Sequence, residues 1–336
     1  MNEHLTFGIN KTIRRSADVL VIGAGMAGLS AAATLEKAGR QVLIVDKSPN
    51  AGGRMATRRV EGATFDHGAQ FITARDPRFV RLLENARAAG AATEWCQGFN
   101  TEADGHPRWR GVGGMSPLAT HLAAGRESVM GKQVAALCQT EGHWSVRMTD
   151  GETWSATTVI LTAPVPQSLA LLEAGDVLIE TALKKRLSTI RYERCLAVMA
   201  VLDGPSHMKA PGGFAPTQGP ISWIADNQLK GISGEPAITL HATDAFSVAH
   251  WDRDRDETAR LLLAAADEWL GAGVKSFQIH GWRYSKPVQT ESLQCVTISN
   301  APALVLAGDA FGGPRVEGAA LSGWAAAEAV LTQSAR

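Results

Sequence analysis

The run Ala17 to Asp46, ADVLVIGAGMAGLSAAATLEKAGRQVLIVD, decides how the rest of the chain folds, because a strand, a glycine turn, a helix and a second strand follow one another in it. Val19 to Ile22 is a short apolar run of the kind a strand buried on both faces needs. Gly23-Ala24-Gly25-Met26-Ala27-Gly28 then gives G-x-G-x-x-G. The first glycine permits the tight turn, the second lets backbone approach a pyrophosphate, and the third lets the helix lie close on the strand. The helix is expected from about Met26 to Lys37, ended by Gly39. Its N-terminus, with free N–H groups and the positive end of the macrodipole, is a seat for a pyrophosphate. Gln41 to Val45 reads as the second strand. Asp46 at its end is placed to accept from a ribose hydroxyl pair and would repel a 2′-phosphate, so the ligand is expected to be NAD or FAD.

Composition limits what else the chain can be. It has 336 residues and a 45% apolar fraction, enough for two domains or one elaborated one. Formal net charge is zero, so nothing electrostatic points to nucleic acid or an anionic membrane. Cys96, Cys138, Cys195 and Cys295 stand far apart, with no C-x-x-C and no histidine at metal-ligand spacing. They read as reduced thiols of a cytoplasmic protein, and no metal site is expected. Arg14-Arg15 before an uncharged run imitates a signal peptide. Cleavage there would remove the fingerprint, and the run is short and glycine-rich for a membrane span. Residues 1–16 are expected as an N-terminal extension.

Beyond Asp46 and Lys47, Ser48 to Arg54 is a loop whose Gly52-Gly53 pair suggests backbone near a ligand, with Arg54 a candidate for a phosphate and Met55 beside it. Phe65-Asp66-His67-Gly68-Ala69-Gln70-Phe71 follows as a short extended piece. Helices are expected over Asp76–Ala89 and Pro117–Ala124, an irregular stretch over Thr93–Arg108, and strands over Lys132–Leu137, Trp144–Met148, Thr153–Ser155 and Val159–Thr162. From Gln167 to Gly271 longer strands (Cys195–Leu202, Ala237–Thr243) and one amphipathic helix (Thr258–Leu270) carry no nucleotide signature. Leu304 to Asp309 is an apolar strand ending in Gly308-Asp309, with a helix from Ala319 to Val330.

In this order of motifs the chain resembles the flavin-containing amine oxidase superfamily, and within it the renalase-like branch. Asp66-His67-Gly68-Ala69-Gln70, Trp109-Arg110-Gly111-Val112-Gly113-Gly114-Met115, Val159 to Gln167, Trp282-Arg283-Tyr284 and Gly308-Asp309 carry the likeness. The resemblance implies an α/β fold: a Rossmann-type FAD domain (17–74, 110–166, 272–336) with an interleaved α+β substrate domain (75–109, 167–271). It places Val134 near the adenine, brings Ala163 and Pro164 back to the cofactor, and puts Asp309 on the ribityl chain. Glu317, Gly318 and Ala319 would open a helix aimed at the flavin, stabilising charge on the reduced ring.

The expected cofactor is non-covalent FAD, since Cys295 lacks the small neighbours of a flavin-linking cysteine. Gln70, Trp282 and Tyr284 are the candidate catalytic groups; His241 and His250 are weaker ones. The resemblance implies hydride transfer from a dihydronicotinamide reduced at the 2 or 6 position, with O2 as acceptor and NAD(P)+ and H2O2 as products. An amine oxidase, a desaturase-like flavoenzyme and a flavin-bound redox sensor are the alternatives. An amine oxidase would show an aromatic pair near Gly308-Asp309, where the sequence offers only Phe311.

Overall fold

The computed structural model describes residues 16–99 and 104–334. The expected extension therefore lies outside the described residues, apart from Ser16, which opens the first strand.

That strand, Ser16–Ile22, pairs in parallel with Val42–Asp46 on one side and Thr153–Leu161 on the other. Ser128–Met130 and Ala303–Leu306 extend the parallel set outward, and Val296–Asn300 closes one edge antiparallel. The hairpin Val134–Gln139 and Trp144–Met148 pairs onto the start of Thr153–Leu161. The two strands expected between Thr153 and Thr162 are thus one. Its first half alternates in burial beside the hairpin, and its last residues are wholly buried between parallel neighbours.

Both faces of this sheet are covered, as parallel strands require. Val19, Val21, Ile44, Ile160 and Val305 meet the helices Met26–Lys37 and Val316–Ser334. Leu20, Leu43, Val159 and Leu304 meet Trp144, Trp154 and the helices Val165–Glu173 and Thr181–Ser188. Each such side chain contributes about 1.5–3 kcal/mol on burial. The first and last helices touch backbone to backbone: a Cβ on Gly323 would stand 2.1 Å from Ala27 O. That contact explains why the two helices are rich in alanine and glycine.

A second, five-stranded sheet runs Gly213–Phe214, Ile221–Asp226, Ala237–Ala242, Tyr192–Leu202, Val274–Pro287. Leu196, Val198, Ala200, Ile238 and Leu240 on one face pack against Ala259 and Leu262 of the helix Arg255–Ala265. The expected domain limits shift accordingly. Val274–Pro287, placed by sequence in the FAD domain, hydrogen-bonds along Tyr192–Leu202 in the second sheet. The helix Pro77–Ala88, placed in the substrate domain, buries Phe79, Leu83 and Ala86 in the FAD-side core. Residues 167–190 likewise cover the first sheet through Leu172 and Leu187. Within the stretch read as irregular, Ala92–Cys96 pairs with Arg108–Gly111. The single helix expected over Thr258–Leu270 is two, broken at Ala266, whose φ of −103° and ψ of 2° leave the helical range. No helix among the described residues is long and apolar enough to cross a membrane.

Candidate functional site: a nucleotide cleft under a polar sheet face

The parallel strands deliver Gly23, Asp46, Thr162 and Gly308 to one edge of the first sheet, the carboxyl ends where open α/β sheets bind ligands. Gly23 has φ +113°, and an added Cβ would lie 2.3 Å from Thr162 Oγ1, which itself donates to Ile22 O at 3.0 Å. On Gly28 a Cβ would lie 1.9 Å from Gly23 O. Gly25 differs: a Cβ there meets nothing within 4 Å. Its space is open, and the backbone of Gly53 faces it, an added Gly53 Cβ standing 3.6 Å from Gly25 Cα. The helix beginning at Met26 has no side chain capping its N-terminus and no acid in its first turn, so its free N–H groups suit a diphosphate. Met26 and Ala27 are buried at that turn.

Asp46 bridges the cleft's floor. Its Oδ2 accepts from Ala24 N and its Oδ1 from Ser48 N, both at 2.7 Å. Lys132 N donates to Asp46 O at 2.9 Å, which brings Val134 up behind the end of that strand. Lys47 is exposed, and Met55 is buried in the core rather than open to the cleft.

Arg54 crosses to the C-terminal strand. Its Nη1 and Nη2 donate to Asp309 at 2.6 and 2.8 Å, and Nη1 also reaches the carbonyls of Tyr284 and Ser285. Desolvation works against this guanidinium, but the charge and hydrogen bonds of Asp309 outweigh it and hold the group above its usual range. The residues expected at a phosphate and at the ribityl chain are therefore joined to each other. Beside them the chain's only two tyrosines, Tyr192 and Tyr284, meet edge to face with centroids 5.6 Å apart. Tyr192 OH accepts from Val165 N at 3.3 Å, tying the Ala163-Pro164 bend to the second sheet.

The segment Asp66 to Gln70 lies between the sheets. Asp66 forms a fully buried pair with Lys230 at 2.7 Å and also accepts from Thr57 Oγ1 and Met115 N. Desolvation pulls Lys230 below its ordinary range, against the opposing effect of Asp66. The carbonyl of His67 accepts from Trp282 Nε1 at 2.7 Å and lies 3.1 Å from His241 Nε2. The His67 ring stacks on Trp282 at 5.3 Å and meets His280 edge-on at 5.0 Å. Desolvation, then His280, Arg58 and His241, push His67 down to about 3. Desolvation brings His241 to about 4 and also lowers His280. All three rings are neutral at pH 7.

Trp282 and His241 thus meet at the His67 carbonyl and Gln70 lies 3.3 Å from His241, while Tyr284 pairs with Tyr192. The structure gives the remaining candidates packing and capping contacts. His250 ends the helix Asp244–Ala249, stacked on Phe246 at 4.0 Å and bonded to its carbonyl, a structural position. Glu317 Oε1 accepts from Arg75 N and Asp76 N, so this carboxylate anchors the start of the Pro77–Ala88 helix. Phe311 is buried in the core. Gly318 is a packing glycine, since a Cβ would stand 2.3 Å from Gly313 O, and Ala319 follows it on the first turn of Val316–Ser334. Sequence reasoning missed Lys230, Tyr192, Trp223 and His280. His280 had a readable signal, because it lies two residues before Trp282 on one strand and shares its face.

A model of the NAD(P)-binding Rossmann-like domain matches residues 21–86. The flavin containing amine oxidoreductase model matches residues 85–331, well over half of the chain. The chain belongs to the flavin-containing amine oxidoreductase family. Its cofactor is accordingly FAD, and it is an FAD-dependent oxidoreductase. Among curated proteins it is similar to the renalase of Mus musculus, 26% identical over 319 residues, covering 87% of this chain and 92% of that protein. The likeness to putrescine oxidase of Kocuria rosea is 38% over 84 residues, 25% of this chain and 17% of that one. A solved putrescine oxidase bound to putrescine superposes with TM-score 0.72 over 94% of this chain and 99% of that one, at 14% identity, which establishes a shared fold. The open space at Gly25, the uncapped helix N-terminus and the acid at Asp46 suit the dinucleotide of a family flavin.

Proposed function

We propose that this family member is an oxidase of dihydronicotinamides reduced at the 2 or 6 position, consuming donor, O2 and a proton and releasing NAD(P)+ and H2O2. The observation that carries the reading is electrostatic. The face above Asp66–Gln70 holds His67, His241 and His280 in their neutral form, and the cations Arg58 and Lys230 contribute to lowering them. The carboxylate that lies there, Asp66, is committed to Lys230. Bringing a protonated amine to such a face is unfavourable, whereas a neutral ring attached to anionic phosphates suits it. The near full-length likeness to a renalase supports the same donor.

Bound FAD would supply the hydride acceptor and the route of electrons to O2. The chain's own part is to orient and to exclude water. Trp282 and His67 brace each other through the 2.7 Å bond and the stack. Gly68 lets the segment lie close on the Arg54 backbone and the Trp282 ring, since a Cβ would stand 2.0 Å from Arg54 O and 3.4 Å from that ring. We assign no general base: hydride leaves a dihydronicotinamide without prior loss of a proton.

One observation favours an amine oxidase instead, the Tyr192–Tyr284 pair beside Asp309 that the sequence did not reveal. Those rings close against each other at 83°, with no room for a substrate nitrogen between them. Aerobic turnover tests the proposal. One H2O2 should form for each NAD(P)+ released from the 2- or 6-dihydro isomers; peroxide from putrescine or a monoamine, and none from these isomers, would overturn it.

A further inference from the structure

The inner face of the five-stranded sheet carries a row that no motif announces. Trp223, His241, Ala197 and His280 stand opposite one another across four strands, and residues paired in this way project to the same side. Ala197 is the small member between two bulky flanks. Gln70 comes up to this row from below, its Nε2 3.3 Å from His241 Nε2.

Three buried polar atoms here have no hydrogen-bond partner: Gln70 Oε1, Trp223 Nε1 and His67 Nδ1. Such orphans are rare in folded proteins because each forfeits its hydration without return. Their orientation is fixed. Gln70 Nε2 donates to Asp66 O at 2.6 Å and to Gly68 O at 3.1 Å, which uses both amide protons and obliges Oε1 to point away from those carbonyls. With the Gln70 protons committed, His241 Nε2 is the donor to His67 O. Gln70 is only 6% exposed and His67 4%. Trp223 is held by Phe71 at 5.4 Å and Phe99 at 4.8 Å between ring centroids, rings inclined to it by 45° and 81° that make an apolar flank.

An orphaned acceptor and an orphaned donor on one face, next to aromatic rings, match a planar group that both donates and accepts. We propose that Trp223 Nε1 and Gln70 Oε1 recognise a ring carboxamide, Trp223 donating to its carbonyl and Gln70 accepting from its amide N–H. The inference rests on the dihydronicotinamide reading and refines it, making Trp223 and Gln70 the residues that select the ring substituent. It also separates donor classes by hydrogen bonding, because a primary amine satisfies Gln70 but leaves Trp223 unpaired.

The test is a ligand ladder on the oxidised FAD protein, with nicotinamide, 3-acetylpyridine and pyridine bound in turn and followed by flavin absorbance and calorimetry. Nicotinamide offers both partners, 3-acetylpyridine only the carbonyl, and pyridine neither. Affinity should fall at each step, by roughly tenfold per lost bond. Trp223→Phe keeps the ring against Phe71 and Phe99 and removes the N–H. It should weaken nicotinamide and 3-acetylpyridine by roughly tenfold and leave pyridine unchanged. If this variant loses FAD or its fold, the ladder on the unaltered chain still decides. Three equal affinities, or a ladder untouched by Trp223→Phe, would show that only water pairs these atoms and would overturn the assignment. A preserved ladder with no flavin reduction by any dihydronicotinamide would keep the carboxamide site and overturn the donor.

Discussion

Replacing Gly25 with alanine separates the cofactor's demand on the fingerprint from the fold's. Gly25 has φ −78° and ψ −179°, a conformation any residue adopts, and its Cβ would meet nothing within 4 Å. In the protein without FAD the substitution therefore adds no strain and reduces the freedom of the unfolded chain. It should raise stability by about 0.4–1 kcal/mol, a shift of about 1 °C for a chain of this size. With FAD the sign reverses. The methyl group enters the space assigned to the pyrophosphate, and an overpacked methyl costs about 1–3 kcal/mol, so affinity should fall roughly ten- to a hundredfold. Gly28 and Gly23 are the controls: a Cβ would stand 1.9 Å from Gly23 O and 2.3 Å from Thr162 Oγ1, so alanine at either position should destabilise the apoprotein itself. Apoprotein melting together with FAD titration by flavin fluorescence reads both quantities. A Gly25→Ala protein that binds FAD as tightly as the parent would show that the open space is not the diphosphate's.

Asp46→Ala should weaken FAD binding by about 1–3 kcal/mol, the size of a lost hydrogen bond to a charged acceptor; unchanged affinity by titration would confine Asp46 to bracing Ala24 and Ser48. The flavin should be non-covalent, because Cys295 packs against the core and burial, then Glu328, raise its thiol pKa; acid precipitation should leave the yellow colour in solution, and colour in the pellet would refute this. Stability should fall on acidification below about pH 6.5. His67 and His241 sit in the fold at about 3 and about 4, so between those values and 6.5 the unfolded chain takes up protons that the folded one does not. The slope should be about 1.4 kcal/mol per pH unit for each histidine. Denaturant midpoints from pH 5 to 8 measure it, and His241→Gln should remove one share.

The cofactor half of the site was legible because its requirements are local. Gly23, Gly25 and Gly28 fall in one strand-turn-helix unit, where a Cβ on Gly28 would strike Gly23 O, and Asp46 ends the next strand. The helix start at Met26 and the strand ending before Gly308-Asp309 follow from the same local rules. The substrate half is set by register between distant strands. Trp223 faces His241, and Ala197 faces His280, only because four strands pair with particular offsets. Periodicity shows a strand but not its partner. Lys230 looks like any surface lysine, although burial beside Asp66 makes it part of the core. Glu317 and His250 show the reverse: the resemblance put Glu317 at the cofactor and His250 was a weaker catalytic candidate, yet one anchors a helix start and the other sits at a helix end.

Anaerobic stopped-flow reduction of the bound flavin tests the donor most directly, because it isolates hydride transfer from the later reaction with O2. The donor carbon must come within roughly 3–3.5 Å of the accepting atom, so a rigid site takes one ring isomer and holds another out of reach. The 2- or 6-dihydronicotinamide dinucleotides should bleach the flavin much faster than 4-dihydro NADH or any primary amine. Rapid bleaching by putrescine or a monoamine, with none by any dihydronicotinamide isomer, would contradict the account and make this chain an amine oxidase.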